Sequence, residues 1–365
     1  MERDERQRKD IRDIIQNKKE ILAENILERQ MKNSPELEKQ YRGIYLQKCR
    51  QDITYHLSYL SEALALNSEV LFLEYVRWLK HLFLGLNLPL SQLADNFEIM
   101  AEVLKEEFDP HMDISRVSDF LGKGKEVLVK DTGELYSFLN QENPYYKLST
   151  DYLANLLEGN SLVFNSLILE KAQQSNISVK DIYLHVFEPV QKEIGRLWQL
   201  GKISVAQEHY CTSATQSLMA RLYPLFLNAG GENRPTCITA CIGNELHEIG
   251  VRMVADFLEM DNWSTYHLGA NTPNYSLIKI ALEKQVDILA ISVTITYHLH
   301  QLEKLITDLR KNKEADKIKI MVGGYPFNID NQLWKKIGAD ATARQGQDAV
   351  NQANLLIKDK ARSNE

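Results

Sequence analysis

The chain has 365 residues, a formal net charge of −7 and 25% charged residues, and this length predicts two or three domains. The acidic balance argues against a protein that works mainly by gripping nucleic acid, which usually shows a basic surface. The sequence has no apolar run of membrane-spanning length, no apolar signal segment and no Cys-x-x-Cys pair among its four cysteines, so we expect a cytoplasmic protein without a membrane span, disulfide framework or zinc site.

Residues 1–143 are expected to form an N-terminal helical sensory or interaction domain. Residues 1–33 mix both signs of charge with sparse apolar positions, which fits a helix that docks on a partner as well as a disordered tail. From Leu37 to Leu128 apolar residues recur at helical spacing. The weakly patterned stretch Gly122–Pro144 is the expected boundary.

A four-helix cap is predicted over residues 144–230. Four polar residues are expected to cap the N-termini of its helices: Ser149, Asn160, Ser178 and Ser204. Ser204 and Gln207 also have the spacing of a capping box.

Between residues 234 and 358 the pattern changes to apolar strands that alternate with helices. The expected strands are 236–242, 263–268, 286–293 and 318–322, and the expected helices are 249–259, 274–284 and 299–312. Apolar strands that alternate with helices predict a doubly wound parallel sheet covered on both faces. The fold class is therefore multidomain α and α/β.

Three short motifs follow these strands, at the edge where open α/β sheets bind ligands. They are Glu245-x-His247-x-x-Gly250, Ser292-x-Thr294 and Gly323-Gly324. An imidazole is a good ligand for first-row transition metals, and glycines let backbone approach a ligand closely. In this order the motifs resemble the cobalamin-binding domain of corrinoid proteins and mutases.

The resemblance implies that His247 is the lower axial ligand of cobalt, in place of the cofactor's own benzimidazole. The freed nucleotide tail would enter a slot formed by Gly250, Gly323 and Gly324, with Ser292 and Thr294 beside it. Glu245 would orient His247, as carboxylates near metal-bound histidines do. The family usually has Asp at this position, so Glu245 is a mild departure.

A second motif lies in the cap, where Trp198 is followed after nine residues by Glu208-His209. This spacing resembles the cap of CarH-like, light-responsive adenosylcobalamin sensors. The resemblance implies that Trp198 packs on the adenosyl group and that Glu208 and His209 contact it. Gln199 stands where those photoreceptors have a histidine, so a bis-histidine state after light would need His209 or His185.

The N-terminal region differs from the winged-helix DNA-binding domain of those sensors, so no direct DNA binding is expected. It looks more like a globin-like sensory domain, as in photocobilins, which combine a bilin-binding domain with a cobalamin module. The candidate contacts to a bilin such as biliverdin are Arg50, Tyr55, His56 and Arg77. A haem, or no chromophore, is the alternative, and His56 and Trp78 also suit plain core positions.

The sequence thus predicts a light-responsive sensor that binds cobalamin, most plausibly adenosylcobalamin, and that signals to an unidentified protein partner without being an enzyme. Apolar faces on the cap favour a homo-oligomer. The alternative is a corrinoid carrier of a methyltransferase system. A mutase would need a substrate barrel that the helical residues do not provide, and His247 argues against a scaffold that has lost its cofactor. His298 and His300 are expected to be exposed loop residues.

Overall fold

The computed structural model describes residues 2–33, 43–130, 133–174, 176–227 and 234–362. The chain divides into two compact units, Met1–Glu134 and Leu135–Glu365. Helices build the described part of the first unit, and a parallel sheet with helices lies in the second, which confirms the predicted class. The finer division of the second unit into a cap domain and a sheet domain stays a prediction. No described helix is both long and apolar enough to cross a bilayer.

The first unit contains five described helices. They are α1 (Glu2–Asn33), α2 (Ile44–Ala65), α3 (Glu69–Gly85), α4 (Leu90–Glu107) and α5 (Ser115–Lys130). Helix α1 packs chiefly on α2 and also on α4, because its residues Ile15, Leu22 and Ile26 form a fully buried stripe. The disordered-tail alternative is therefore wrong, and the apolar face of α1 is covered within its own unit. The expected helix start at Leu37 lies outside the described residues.

The division between the two units, after Glu134, falls inside the stretch Gly122–Pro144, although a helix occupies the first part of that stretch. Gly122 and Gly124 lie inside α5, which continues to Lys130. A Cβ at Gly124 would lie 3.1 Å from Phe72 Cε1, so this glycine lets α5 approach α3 closely.

The second unit begins with a cap of helices. These are α6 (Tyr146–Leu157), α7 (Ser161–Gln173), α8 (Val179–Ile182), which continues through a π-helical turn (Tyr183–Phe187) into α9 (Glu188–Gln199), and α10 (Val205–Leu222). Ser178 and Ser204 are N-caps as predicted, and Ser204 forms the full capping box with Gln207. Asn160 occupies the N-cap position of α7 but makes no side-chain cap bond. Ser149 is wrong as a cap, since it lies inside α6, where its hydroxyl has one hydrogen for two nearby acceptors, the carbonyls of Tyr145 (2.9 Å) and His185 (2.8 Å).

The sheet contains five parallel strands in the order β2-β1-β3-β4-β5. Their bounds are β1 Thr236–Ile242, β2 Ser264–Thr272, β3 Ile288–Ser292, β4 Lys319–Gly323 and β5 Ala341–Ala343. The helices are α11 Ile249–Met260, α12 Asn274–Lys284, α13 Leu299–Arg310, α14 Tyr325–Ile329, α15 Leu333–Lys336 and α16 Gly346–Arg362. Helix α11 packs on α16 and α12 packs on α13. The chain order reverses at β1, which puts a ligand-binding crevice at its carboxyl end.

The cap and the sheet share one hydrophobic core. Tyr183 and Phe187 of the cap belong to the same buried cluster as Phe257 of α11 and Ala290 of β3. The Tyr183 hydroxyl also donates a 2.7 Å hydrogen bond to Asp256 Oδ2. The cap is therefore held against the helical layer beside the crevice.

Candidate functional site

The loop after β1 forms the centre of the site. It turns at Asn244, whose φ of +66° lies in the left-handed region that asparagine tolerates. The loop is tied to the end of β2, because the Asn271 N–H donates to the Glu245 carbonyl (2.9 Å) and the Asn244 N–H donates to Asn271 Oδ1 (2.7 Å). These bonds fix the backbone on which Glu245 and His247 stand.

Glu245 and His247 form a close pair at this edge. Glu245 is fully buried and its Oε1 lies 2.5 Å from His247 Nδ1, while the His247 side chain is 58% exposed. The His247 backbone N–H also donates to Oε1 (3.1 Å). A neutral imidazole that donates through Nδ1 keeps its lone pair on Nε2. The pair therefore presents Nε2 as the nitrogen that can bind a metal.

The second oxygen of Glu245 is held equally firmly. Its Oε2 accepts from the backbone N–H groups of Thr294 (2.8 Å) and Ile295 (2.9 Å), and His298 Nδ1 lies 3.4 Å away. Thr294 thus contributes through its backbone. The expectation that His298 is an exposed loop residue is wrong, because it is 6% exposed and faces Glu245. His300 is half-buried and bonded to the Tyr297 carbonyl at 2.7 Å.

These contacts set the charges of the pair. Burial acts to raise the pKa of Glu245, but the hydrogen bonds from His247 and His298 outweigh burial and hold this pKa far below its usual value. The hydrogen bond to Glu245 raises the pKa of His247, and the negative charge of Glu208 adds to the effect. When no metal is bound, Glu245 therefore stays ionised and His247 gains a proton readily.

Small residues line the carboxyl end of the sheet in one row. Cys241, Ser292, Gly323 and Ala343 are paired across β1, β3, β4 and β5. Ala290, Met321 and Ala341, two residues earlier along their strands, pack in the core with α11 and α16, and side chains two apart share a face. These small residues lie where the sequence predicts the slot for the nucleotide tail, at the carboxyl end of the sheet face that α11 and α16 cover.

The predicted glycines have different roles around this slot. Gly324 has a φ of +112°, and a Cβ there would lie 2.0 Å from the Val293 carbonyl oxygen. A Cβ at Gly323 would lie 3.1 Å from the Ala343 carbonyl oxygen. Gly250 is exposed on α11 and a Cβ there would meet nothing within 4 Å, so the fold alone does not require it.

Helix α10 of the cap approaches the loop that carries His247. Trp198 is half-buried near the end of α9. On α10, Glu208 Oε1 accepts from the Thr212 hydroxyl (3.0 Å) and Glu208 Oε2 lies 3.4 Å from Nε2 of the exposed His209. Two turns further along α10, Gln216 donates to Glu248 Oε1 (2.8 Å), next to His247 in sequence. The face of helix α10 that carries Glu208 thus lies towards the loop that carries His247.

Sequence reasoning missed Glu248, Gln216 and His298. Glu248 joins three elements, because its Oε1 accepts from Gln216 of α10 and its Oε2 accepts from the Ala270 N–H of β2 at 2.9 Å. Its place next to His247 was a usable signal, whereas Gln216 and His298 follow no spacing rule. Among the described residues no group of three or more His, Cys, Asp or Glu side chains could hold a metal ion. A cobalt that arrives inside a corrin ring needs only one protein ligand, and His247 can supply it.

The N-terminal candidates for a bilin lie in separate surroundings. His56 is 4% exposed, its Nδ1 lies 2.7 Å from the Tyr75 hydroxyl, and burial lowers its pKa to about 3. Tyr55 is 40% exposed. Arg50 pairs with Glu24 (3.3 Å) and Arg77 with Glu74 (3.1 Å). His56 is thus a neutral core histidine, and a chromophore in this unit stays a prediction.

Comparison with known proteins bears on the second unit. Residues 235–354 match a family model described as a B12 binding domain, and residues 149–223 match a second model with the same description. The chain is 28% identical over 167 residues to the dimethylamine corrinoid protein of Methanosarcina barkeri, which covers 45% of this chain and 77% of that protein.

Two further relatives cover more of the chain. It is 27% identical over 213 residues to monomethylamine corrinoid protein 1 of Methanosarcina mazei, with 57% of this chain and 97% of that protein covered. The solved structure of the Methanosarcina barkeri monomethylamine corrinoid protein is similar in fold, with a TM-score of 0.52 and 22% identity over 58% of this chain and 99% of that one. The matched domains confirm a corrinoid as the cofactor of this chain.

Proposed function

We propose that this chain is a corrinoid carrier protein, which holds cobalamin between the cap and the sheet and passes a methyl group between methyltransferase partners. The observation that carries the proposal is the 2.5 Å contact of the buried Glu245 with His247, at a sheet edge where Nε2 remains available. The relatives support the choice of reaction, because nearly the full length of a monomethylamine corrinoid protein aligns with this chain. When bound, the corrinoid supplies the cobalt that carries the methyl group.

The residues of the chain have separate tasks in this proposal. His247 binds the metal through Nε2 and must lose its Nε2 proton to do so. Glu245 keeps its charge and fixes the imidazole through Nδ1. Ser292 and Gly323 line the slot that takes the nucleotide tail, and Gly324 lets β4 turn closely past Val293. The methyltransferase partner and a homo-oligomeric state belong to the proposal as well.

The test is the identity of the axial nitrogen. The full chain, loaded with cob(II)alamin, is examined by electron paramagnetic resonance with natural-abundance protein and with ¹⁵N-labelled protein. If His247 binds cobalt, labelling changes the nitrogen splitting, because the ligand comes from the protein and not from the unlabelled cofactor. His247→Ala should abolish the labelling effect, whereas His209→Ala should keep it. A splitting that labelling leaves unchanged would refute the role of His247.

A second function is favoured by the cap. The Glu208 carboxylate on α10 accepts from the Thr212 hydroxyl, Trp198 is half-buried near the end of α9, and a methyl group cannot hydrogen-bond to a carboxylate. These residues suit an adenosyl upper group, as in a light-responsive adenosylcobalamin sensor that reports to a protein partner. The first unit, which lies outside both matched domains, would take part in that signal, with or without a bilin.

Illumination separates the two functions. Full chain loaded with adenosylcobalamin in the dark is exposed to green light, and absorption and hydrodynamic radius are followed. The sensor requires a change of radius that His247→Ala removes. The carrier requires bound methylcobalamin to pass its methyl group to a thiolate in the presence of a methyltransferase partner, which forms a methyl thioether and leaves cob(I)alamin, while the radius stays the same after light. Biliverdin added to the apoprotein would produce red-absorbing bands only if the first unit binds a bilin.

A further inference from the structure

We propose that Thr212 is a positioning residue, which sets the Glu208 carboxylate to accept hydrogen bonds from a polar upper axial group and so makes the cap selective for that group. The inference rests on cobalamin binding as proposed above. It deepens the second of the two functions, because the methyl group of a carrier has no hydrogen-bond donor for Glu208. It follows from a chain of polar side chains that runs through the cap to Glu208.

The chain of hydrogen bonds begins in the core of the cap. The Tyr152 hydroxyl lies 2.9 Å from Thr215 Oγ1, and both residues are fully buried. Gln191 of α9 reaches Thr215 Oγ1 through Nε2 at 2.8 Å. Thr212 Oγ1 lies 3.1 Å from Gln191 Oε1 and 3.0 Å from Glu208 Oε1. Polar groups inside a helical bundle stabilise it less readily than apolar ones and call for a specific role.

The donors in this chain can be assigned by counting hydrogens. Thr215 uses its only hydroxyl hydrogen on the Cys211 carbonyl (3.0 Å), so it accepts from both Tyr152 and Gln191. Gln191 therefore turns its NH₂ group to Thr215 and its carbonyl oxygen to Thr212. The orientation of the Gln191 amide is thus fixed from the buried end of the chain.

Thr212 then has one hydrogen and two acceptors. An ionised carboxylate accepts a stronger hydrogen bond than an amide oxygen, so the hydrogen goes to Glu208 Oε1 and holds the carboxylate in one orientation. When a ligand hydroxyl donates to the same oxygen, the Thr212 hydrogen can turn to Gln191 Oε1 at 3.1 Å. Neither arrangement leaves the hydroxyl hydrogen without an acceptor. Glu208 is therefore both fixed before binding and free to accept from a ligand.

The direction of this carboxylate follows from the face of α10. Glu208, Thr212 and Gln216 are spaced four residues apart, which places them along one side of the helix. Gln216 is bonded to Glu248 beside His247, so this side lies towards the cofactor loop. Glu208 stands about 12 Å further along the axis, eight residues at the rise of an α-helix. Glu208 is therefore on the side of α10 that faces the cofactor loop, two turns away from Gln216.

The oriented Glu208 carboxylate determines which upper axial group the cap selects. A carboxylate that is already oriented favours an upper group with hydroxyl or amino donors, such as a nucleoside, over one without donors. Methylcobalamin, whose upper group has no donor, and adenosylcobalamin therefore serve as the two probes, since they differ only in the upper group. The measured quantity is the ratio of their dissociation constants for the full chain in the dark.

The experiment compares Thr212→Val, which keeps the shape and removes the hydroxyl, with Thr212→Ser, which keeps the hydroxyl. We expect Thr212→Val to weaken adenosylcobalamin binding about tenfold, the size of one hydrogen bond to a charged group, and to leave methylcobalamin binding unchanged. Thr212→Ser should retain the wild-type ratio. Thr150→Val is the matched control, because the Thr150 hydroxyl donates only within its own helix to the Lys147 carbonyl (2.9 Å).

The same change in a Glu208→Ala background identifies the route. If Thr212 acts through Glu208, Thr212→Val has no further effect on the ratio once Glu208 is gone. An unchanged ratio in Thr212→Val, or an equal further loss in the Glu208→Ala background, overturns the inference. In that case methylcobalamin binding that depends on His247 leaves the proposed function standing. A wild-type chain that binds neither cobalamin overturns both.

Discussion

Glu245→Gln removes one charge from the centre of the site and leaves the size of the side chain unchanged. In the native chain Glu245 Oε1 accepts from Nδ1 and the backbone N–H of His247, and Oε2 accepts from the N–H groups of Thr294 and Ile295. A glutamine must replace one of these oxygens by an NH₂ group. Two N–H donors would then face another donor in a fully buried position.

The size of the effect follows from these bonds. Two hydrogen bonds to a charged group are lost and two buried donors are left unpaired, so the free energy of unfolding should fall by about 3–5 kcal/mol. Cobalamin should bind about 10- to 100-fold more weakly, as when a carboxylate behind a metal-bound histidine is removed. The pKa of His247 should fall, because the hydrogen bond to Glu245 is the largest cause of its raised value.

The two dependences on pH have opposite signs. Since the pKa of His247 is raised in the folded apoprotein, the stability that its protonated form contributes is complete below the unfolded pKa and is lost as pH rises through the folded value. Cobalamin binding needs an unprotonated Nε2, so its affinity falls as pH drops below that raised pKa. Both dependences should shift to lower pH in Glu245→Gln.

Histidine ¹⁵N NMR titration of the apoprotein measures the pKa of His247 directly, and urea unfolding measures stability. Glu248→Gln is the control. Glu248 accepts hydrogen bonds from Gln216 and the Ala270 N–H, whereas the His247 ring is hydrogen-bonded to Glu245. If His247 titrates at the same pH in Glu245→Gln and in Glu248→Gln, Glu245 is not what holds the imidazole, and the site must be explained differently.

Three other changes test single contacts. Gly324→Ala should destabilise the second unit by more than about 3 kcal/mol in urea unfolding, because its Cβ would lie 2.0 Å from the Val293 oxygen, whereas Gly250→Ala, with nothing within 4 Å, should not destabilise it. Ser204→Ala should lower the free energy of unfolding by about 1 kcal/mol in the same measurement, because it removes the capping box of α10. An unchanged free energy would mean that this capping box does not stabilise the helix. His56 should stay neutral in NMR titration to about pH 3, so stability should fall as pH drops below the ordinary histidine value of about 6.5, and His56→Gln should remove that fall.

The sheet was largely predictable because its signals are local. Strand β1 and helix α12 have the predicted bounds, since β-branched and apolar runs end sharply at polar residues. Strand β5 was missed because Ala341–Ala343 has three residues and little strand preference. It forms because its backbone pairs with Met321 and Gly323 at the edge of β4. A sequence of three residues contains no pattern that predicts such tertiary pairing.

The pair Glu245 and His247 was predictable from its spacing in one loop, whereas the contacts that complete it were not. His298 lies 53 positions after Glu245 in the sequence. It is the last, buried residue of a short 3₁₀ turn that brings it to Glu245. Gln191 and Thr212 meet because α9 and α10 pack side by side. Such contacts depend on helix packing, and no periodicity encodes which polar residue faces which.

The shared core limits how the cap can move when it works. Displacing the whole cap would expose Tyr183 and Phe187 and break the buried Tyr183–Asp256 hydrogen bond, and each large side chain exposed costs about 1.5–3 kcal/mol. The rim is different, since Trp198 and Glu208 are only half-buried and His209 is exposed. A change of upper group therefore acts most cheaply on the facing ends of α9 and α10. In either proposed function, the first movement after loss of the upper group should be sought at Trp198, with Tyr183 and Phe257 remaining packed.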